Sequence, residues 1–199
     1  MNPMLNQRFA PWIALPFIII ITGFLWSQTA TSTEGQLHPK VESASGFTVV
    51  GIQVRTTNSA EETGSGAITQ QWQRFMTDSL LDKIPHKSDS NIIAVYTDYA
   101  NIKGSKDVEY NYVLGAKVDS ATGLPAGMVA KKIPAGRYSV ITTQKGPLWE
   151  VVPAAWKQIW ASPKSVLGGD RAFKSDYEVY DTNTLDPGNG QADIHVGIK

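Results

Sequence analysis

A carboxylate and a phenol occupy alternate positions of one β-rich segment near the end of the chain. Glu178 and Tyr180 lie two residues apart within residues 176–182, and side chains two apart on a strand share one face. A buried carboxylate beside aromatic rings attracts an organic cation through its charge and through cation–π contact. If it is desolvated, the pKa of the same carboxylate rises, and the group could act as a general base. The alternative is a solvated surface glutamate paired with Lys174.

An internal repeat places further side chains near this pair. A fixed offset of 84 residues aligns Trp72 with Trp156, Phe75 with Ile159, Ala94 with Glu178, and Tyr96 with Tyr180. The two halves therefore supply two tyrosines but one carboxylate. Two β-α-β-β units related in this way predict an α+β fold with pseudo-twofold symmetry and a curved antiparallel sheet. Each repeat would contribute one helix, and the ligand groove would lie between the halves.

The spacing of apolar residues predicts the elements that position these side chains. Strands are predicted at residues 47–54, 91–99, 108–118, 128–143 with an interruption at 134–136, 176–182 and 192–198, and helices at 67–81 and 147–161. Trp72 and Trp156 fall in the middle of the helices, where packing in the core is their expected role. Tyr112 is expected to line the groove or to pack on the sheet. Trp149 begins the second helix and could reach the groove.

Four blocks of the second half resemble a known family. They are Lys-Ile-Pro-Ala-Gly-Arg-Tyr at 132–138, a Gly-Pro-Leu-Trp helix start at 146–149 with Trp156 and Trp160 following, Asp-Tyr-Glu-Val-Tyr-Asp at 176–181, and the closing strand at 192–199. In this order they resemble the GyrI-like and Rob-type effector-binding domains of bacterial AraC-family regulators. The resemblance covers about residues 46–199, and the first half matches in pattern only.

The resemblance implies a domain that binds small molecules, often hydrophobic cations, between its two halves. It assigns the acidic residue of the pocket to Glu178, in agreement with the strand pattern. The predicted ligand-binding residues are Glu178, Tyr180, Tyr96, Tyr112 and Trp149. Many members of the family follow a helix-turn-helix module, which is not recognisable in this sequence. Control of transcription is therefore not the expected activity.

Composition argues against several other classes of function. Lys and Arg total 18 and Asp and Glu total 18, and no basic patch is present, so nucleic acid is not an expected partner. The chain has no cysteine and its three histidines are scattered, so no metal site is predicted. No cofactor motif is present. Hydrolysis of a small molecule with Glu178 as general base is the alternative function, although the sequence shows no second catalytic group.

The beginning of the chain predicts a different environment. Residues 9–26 carry no charge and would span about 27 Å as a helix, close to the bilayer's hydrocarbon core of roughly 30 Å. Residues 1–26 are therefore predicted to be a membrane anchor or a signal segment, 27–45 a flexible linker, and 46–199 the domain. The resulting hypothesis is a binding domain in the periplasm, tethered by a single pass through the inner membrane. Secretion after cleavage of a signal is the alternative.

Overall fold

An antiparallel sheet with helices on one face forms the domain in this computed structural model, which describes residues 37–102, 107–183 and 185–199. Its strands are β1 Lys40–Ala44, β2 Phe47–Thr57, β3 Ile92–Ala100, β4 Glu109–Val118, β5 Val129–Ile133, β6 Gly136–Thr142, β7 Ser175–Tyr180 and β8 Asp193–Ile198. The helices within these ranges are α1 Asn58–Glu62, α2 Ile68–Thr77, α3 Leu80–Lys83, α4 Leu148–Ala161 and α5 Lys164–Leu167. The predicted α+β class is confirmed.

One predicted helix is divided, and three short elements, α1, α5 and β1, are present without having been predicted. The helix predicted at residues 67–81 is divided into α2 and α3, because Ser79 adopts a left-handed backbone with φ 49°. Such a conformation does not continue a right-handed helix. The interruption predicted at 134–136 within the strand at residues 128–143 is present, because Pro134 and Ala135 separate β5 from β6, which begins at Gly136. Proline has no N–H to donate to a ladder, so strand pairing stops there.

The strand order reproduces the repeat. The sheet runs β1-β6-β8-β7-β3-β4-β2-β5, so the first repeat contributes β3-β4-β2 and the second contributes β7-β8-β6. The two halves meet where β3 pairs with β7. Since this ladder is antiparallel, a twofold rotation about its centre exchanges the halves. The symmetry predicted from the offset is therefore the symmetry of the sheet.

The outer strands cross from one half to the other. β1 is followed within two residues by β2, yet β1 pairs with β6 and β2 pairs with β5. Ala44 pairs with Gly136 and Phe47 pairs with Ile133, so both ladders keep one register across the bend. A Cβ on Gly46 would lie 3.0 Å from the carbonyl oxygen of Ile133, and glycine permits this close approach.

The boundary of the domain differs from the prediction. Residues 27–45 were expected to form a linker, but Lys40–Ala44 is strand β1. Four of its five residues are exposed and it has no apolar alternation, because it is an edge strand whose partner lies far along the chain. The predicted anchor at 1–26 and the linker up to residue 36 lie outside the described residues. Across the ranges that are described, none of the helices has the length and apolar character needed to cross a bilayer.

Both faces of the sheet are buried. On one face, Phe75 of α2 and Ile159 of α4 are each 1% exposed and pack against the sheet. They are equivalent in the repeat, and burial of each side chain stabilises the fold by about 2 kcal/mol. On the other face, Val95, Tyr138 and Tyr177 belong to a second apolar cluster built from strand residues. Phe75 and Ile159 belong to the same cluster as Tyr180, so α2 and α4 lie on the face that carries Glu178.

Candidate ligand-binding site

Glu178 lies on β7 beneath the two helices and is 1% exposed. Its Oε1 accepts hydrogen bonds from the Tyr96 hydroxyl at 2.7 Å and from the Trp156 indole Nε1 at 2.5 Å. Its Oε2 accepts one from the Tyr180 hydroxyl at 2.7 Å. Three neutral donors from three elements thus converge on one carboxylate. The alternative of a surface glutamate paired with Lys174 does not describe this arrangement.

The environment of Glu178 disfavours its charge. Burial raises the pKa of this carboxyl above its usual value, and the hydrogen bonds from Trp156, Tyr96 and Tyr180 offset part of the rise. Burial also raises the pKa of the Tyr96 and Tyr180 hydroxyls far above their usual value, and the nearby charge of Glu178 adds to the rise. Both hydroxyls therefore remain donors. A positive charge placed beside Glu178 would stabilise its ionised form.

Aromatic rings surround the carboxylate. The Tyr96 ring lies 5.1 Å from the Tyr112 ring and 5.0 Å from the Trp156 ring, between centroids. The Trp72 ring lies 5.0 Å from that of Tyr180. Tyr112 is fully buried on β4, and its hydroxyl accepts a hydrogen bond from Trp72 Nε1 at 2.8 Å. The structure therefore brings Glu178 together with three of the other predicted residues: Tyr180, Tyr96 and Tyr112.

The two symmetric tryptophans have a larger role than the sequence suggested. Trp72 and Trp156 were expected to pack in the core, and both do contact the core cluster while remaining half-buried. Each also donates its indole N–H to an oxygen of the site: Trp72 donates to Tyr112, and Trp156 donates to Glu178. A signal for this was present, because a buried indole N–H needs an acceptor. Because the two residues are equivalent in the repeat, their acceptors were to be expected near the pseudo-twofold axis that relates the two halves.

The structure places Trp149 at the start of α4. It lies in the first turn of α4, and 47% of its surface is exposed. Trp156 follows seven residues later, roughly 10 Å further along the helix. The residue of α4 that contacts Glu178 is therefore Trp156, and Trp149 lies toward the outer end of the same helix face.

A second buried carboxylate accompanies Glu178. Asp176 precedes it by two residues on the same face of β7 and is 0% exposed. Its Oδ2 accepts hydrogen bonds from the Tyr99 hydroxyl at 2.6 Å and from Arg171, and its Oδ1 accepts one from the Gly197 backbone N–H at 2.8 Å. The expectation of a single carboxylate is therefore wrong. Arg171 lies in an irregular loop, so no periodic pattern connected it with β7.

Side chains fill the predicted groove. Tyr96, Trp156 and Tyr180 contact Glu178 directly, and the Trp72 ring packs on Tyr180, which explains why so little of Glu178 is exposed. A cavity of about 130 Å³ does exist in the structure, but residues 134–138 and 197–199 contribute to its lining and Glu178 does not. That cavity lies near β7, but none of the predicted site residues lines it.

Comparison with known proteins identifies the kind of domain. The family model of integron-associated effector-binding proteins matches residues 40–198. YobU of Bacillus subtilis, named as a candidate transcriptional regulator, is 31% identical over 150 residues, which cover 75% of this chain and 90% of that protein. The match confirms the effector-binding resemblance seen in the sequence. The residues matched by the family model begin at Lys40, in agreement with the position of β1.

Two solved structures share the fold. The integron cassette protein VCH_CASS2 from the mobile metagenome of Vibrio cholerae has a TM-score of 0.59 at 23% identity, covering 81% of this chain and 96% of that one. The protein SAV2435, solved with bound tetraphenylphosphonium, has a TM-score of 0.64 at 14% identity, covering 81% and 93%. At these identities the likeness concerns the fold.

These findings correct the predicted location. The sequence suggested a single pass through the inner membrane with the domain in the periplasm, on the hydropathy of residues 1–26 alone. The likeness to YobU, a candidate regulator of transcription, contradicts that location, because such a regulator works where the DNA is. The repeat, the strand order and the family match over residues 40–198 agree with one another, and they show that the chain belongs to the family of integron-associated effector-binding proteins.

Proposed function

We propose that the effector of this domain is a lipophilic organic cation, and that it binds at Glu178 between α2 and α4. The observation that carries the proposal is a carboxylate that is 1% exposed and receives hydrogen bonds from three neutral donors. Such a charge is costly to bury without a compensating cation. A cationic ligand would supply that compensation, so binding energy and ionisation of Glu178 would favour each other.

The surrounding rings suit the apolar part of such a ligand. Trp72, Trp156 and Tyr96 present aromatic faces within one cluster, and a cation over an aromatic face gains roughly 0.5–2 kcal/mol. Displacement of Trp72 and Trp156 would open the groove, while Tyr180 and Tyr112 would line its floor. Trp149 would contact the ligand at the rim. The fold neighbour SAV2435, solved with tetraphenylphosphonium, supports this class of ligand.

A pair of probes with one shape and opposite charge tests the charge requirement. Thermal unfolding of the full chain is measured with tetraphenylphosphonium and, separately, with tetraphenylborate. Ligands that bind the folded state raise the unfolding temperature, so the cation should raise it and the anion should not. Equal shifts would show that only apolar surface is recognised. No shift with either probe, or with a wider panel of lipophilic cations, would contradict the proposal.

A substitution at the carboxylate tests its role. Glu178→Gln keeps the shape of the side chain and should weaken tetraphenylphosphonium binding by about 1–3 kcal/mol, the scale of a charge-assisted contact. The matched control is Asp181→Asn, since Asp181 is an exposed carboxylate just beyond β7. Calorimetric titration of both variants compares them. Equal losses would indicate a general field effect of the protein, and unchanged affinity in both would remove Glu178 from the site.

Hydrolysis with Glu178 as general base is the second candidate, favoured by the raised pKa of this carboxyl. Both of its oxygens already accept hydrogen bonds, so we rank binding first. Turnover of a small-molecule ester that is lost in Glu178→Gln while binding is retained would support hydrolysis. The absence of nucleic-acid binding stays a prediction, because YobU is named a candidate transcriptional regulator. A gel-shift assay with duplex DNA would test it.

A further inference from the structure

Arg171 is a buried cation enclosed by aromatic rings. Its guanidinium carbon lies 4.0 Å from the ring centroid of Trp160 and 4.5 Å from that of Phe173. The side chain is 9% exposed and its Nη2 donates to Asp176. Its Nε and Nη1 are buried and have no hydrogen-bond partner within the described part of the chain. The rings and one carboxylate therefore hold this guanidinium, in an environment built for a positive charge.

This arrangement adjoins the site at Glu178. Asp176 and Glu178 are two residues apart on one strand face, which places them about 7 Å apart. Trp156 connects the two groups, because its ring centroid lies 5.9 Å from the Arg171 guanidinium carbon while its Nε1 donates to Glu178. Tyr96, another donor to Glu178, is the direct cross-strand partner of Asp176. The two carboxylates thus lie in one continuous aromatic cluster.

We propose that Arg171 determines the charge specificity of the ligand site. By neutralising Asp176 it leaves the ionised Glu178 as the single uncompensated negative charge of the cluster, so the site selects monocations. It also occupies the place where the second charge of a dication would lie, between Trp160 and Phe173, and a fixed positive charge there repels that second charge. This inference rests on the proposed function, since it presupposes that a cation binds at Glu178.

Two probes of related shape measure this specificity. The monocation is N-benzyl-4-phenylpyridinium. The dication is N,N′-dibenzyl-4,4′-bipyridinium, whose nitrogens are about as far apart as carboxylates two residues apart on a strand. Affinities are measured by calorimetric titration of the full chain, and each protein is described by the ratio of its dication affinity to its monocation affinity. Wild type is expected to favour the monocation.

Removal of the arginine should shift this preference toward the dication. Arg171→Gln frees the charge of Asp176, so the ratio should rise at least about tenfold, the scale of one charged contact. The double variant Arg171→Gln/Asp176→Asn replaces the ion pair with neutral groups. The ratio of dication to monocation affinity of this double variant should lie between the ratios of wild type and Arg171→Gln. The double variant loses the repulsion by Arg171 but also lacks the attraction by Asp176. A ratio in Arg171→Gln equal to wild type, or a double variant equal to Arg171→Gln, would overturn the proposal.

The double variant also guards against a folding defect. Breaking a buried ion pair from one side leaves an uncompensated charge, whereas replacing both partners is often neutral. If Arg171→Gln does not fold, the double variant alone decides: a ratio several-fold above wild type supports the proposal, and an unchanged ratio contradicts it. If wild type binds neither probe, both this inference and the proposed function are contradicted. Wild type that binds the monocation through Glu178, with a ratio insensitive to Arg171, would remove only this inference.

Discussion

Ala94 and Glu178 occupy equivalent positions of the repeat, and they face each other directly in the ladder between β3 and β7. The pseudo-twofold axis therefore passes between them. Tyr96 and Tyr180, which are also equivalent, donate to opposite oxygens of the one carboxylate. A second glutamate at position 94 would place two like charges on side chains about 5 Å apart. Because Ala94 has only a methyl group, the symmetric sheet carries a single charge, that of Glu178, at its centre.

The pH dependence of stability should reveal the free-energy cost of burying the charge of Glu178. Burial raises its pKa in the folded state above the usual value of 4.5, so the folded chain retains the proton to higher pH. The stability this provides is fully present below the unfolded pKa and is lost as pH rises through the folded pKa. Wild type should therefore lose stability relative to Glu178→Gln as pH rises above 4.5. Denaturant unfolding of both proteins across this range measures the difference, and parallel curves would contradict it.

The indole donor should tune the ionisation of Glu178. Trp156→Phe keeps an aromatic face but removes the N–H that donates to Oε1 at 2.5 Å. Loss of a donor to the charged form raises the carboxyl pKa further, so tetraphenylphosphonium affinity should reach its plateau at a higher pH than in wild type. The control is the repeat-equivalent Trp72→Phe, which removes a donor to the Tyr112 hydroxyl instead. Equal shifts of the two pH profiles would show that ring volume, and not the N–H, matters.

Two facing glycines should be essential to the sheet. Gly51 and Gly115 are paired between β2 and β4, and a Cβ on Gly115 would lie 1.9 Å from the backbone oxygen of Val50. Because backbone cannot move aside as a side chain can, Gly115→Ala should destabilise the fold by about 4 kcal/mol or more, or prevent folding. Gly136→Ala is the control within β6, where the nearest atom would lie 3.7 Å away. Chemical denaturation compares them, and similar stabilities would refute the close approach.

Strand β1 should contribute to stability although its sequence resembles a linker. A chain beginning at residue 46 lacks β1 and leaves one side of β6 unpaired. It should therefore be less stable than a chain beginning at residue 37, by about 2 kcal/mol, within the usual range for loss of a local structural feature. Urea unfolding of the two chains measures the difference. Equal midpoints and slopes would show that residues 40–44 add nothing to stability, as expected of a linker.

Local patterns in the sequence were sufficient for most of the fold. The spacing of apolar residues predicted α4 and the strands that carry Glu178, Tyr96 and Tyr112, because the periods of helices and strands are properties of short segments. The repeat of 84 residues added the relation between the halves. The shared face of Glu178 and Tyr180 followed from the two-residue period of a strand. These features need no knowledge of which segments meet.

Contacts between distant segments were decided only by the tertiary structure. β1 pairs with a strand that lies far along the chain, and a short exposed edge has no periodic signal. Asp176 shares the face of Glu178 by the two-residue period of a strand, but Arg171 reaches it from an irregular loop, so its neutralisation could not be inferred from β7 alone. The N–H groups of Trp72 and Trp156 likewise find acceptors on strands of a different part of the sequence. Burial, and with it the raised pKa of Glu178, depends on which side chains the fold gathers around it, because desolvation is a property of the assembled environment.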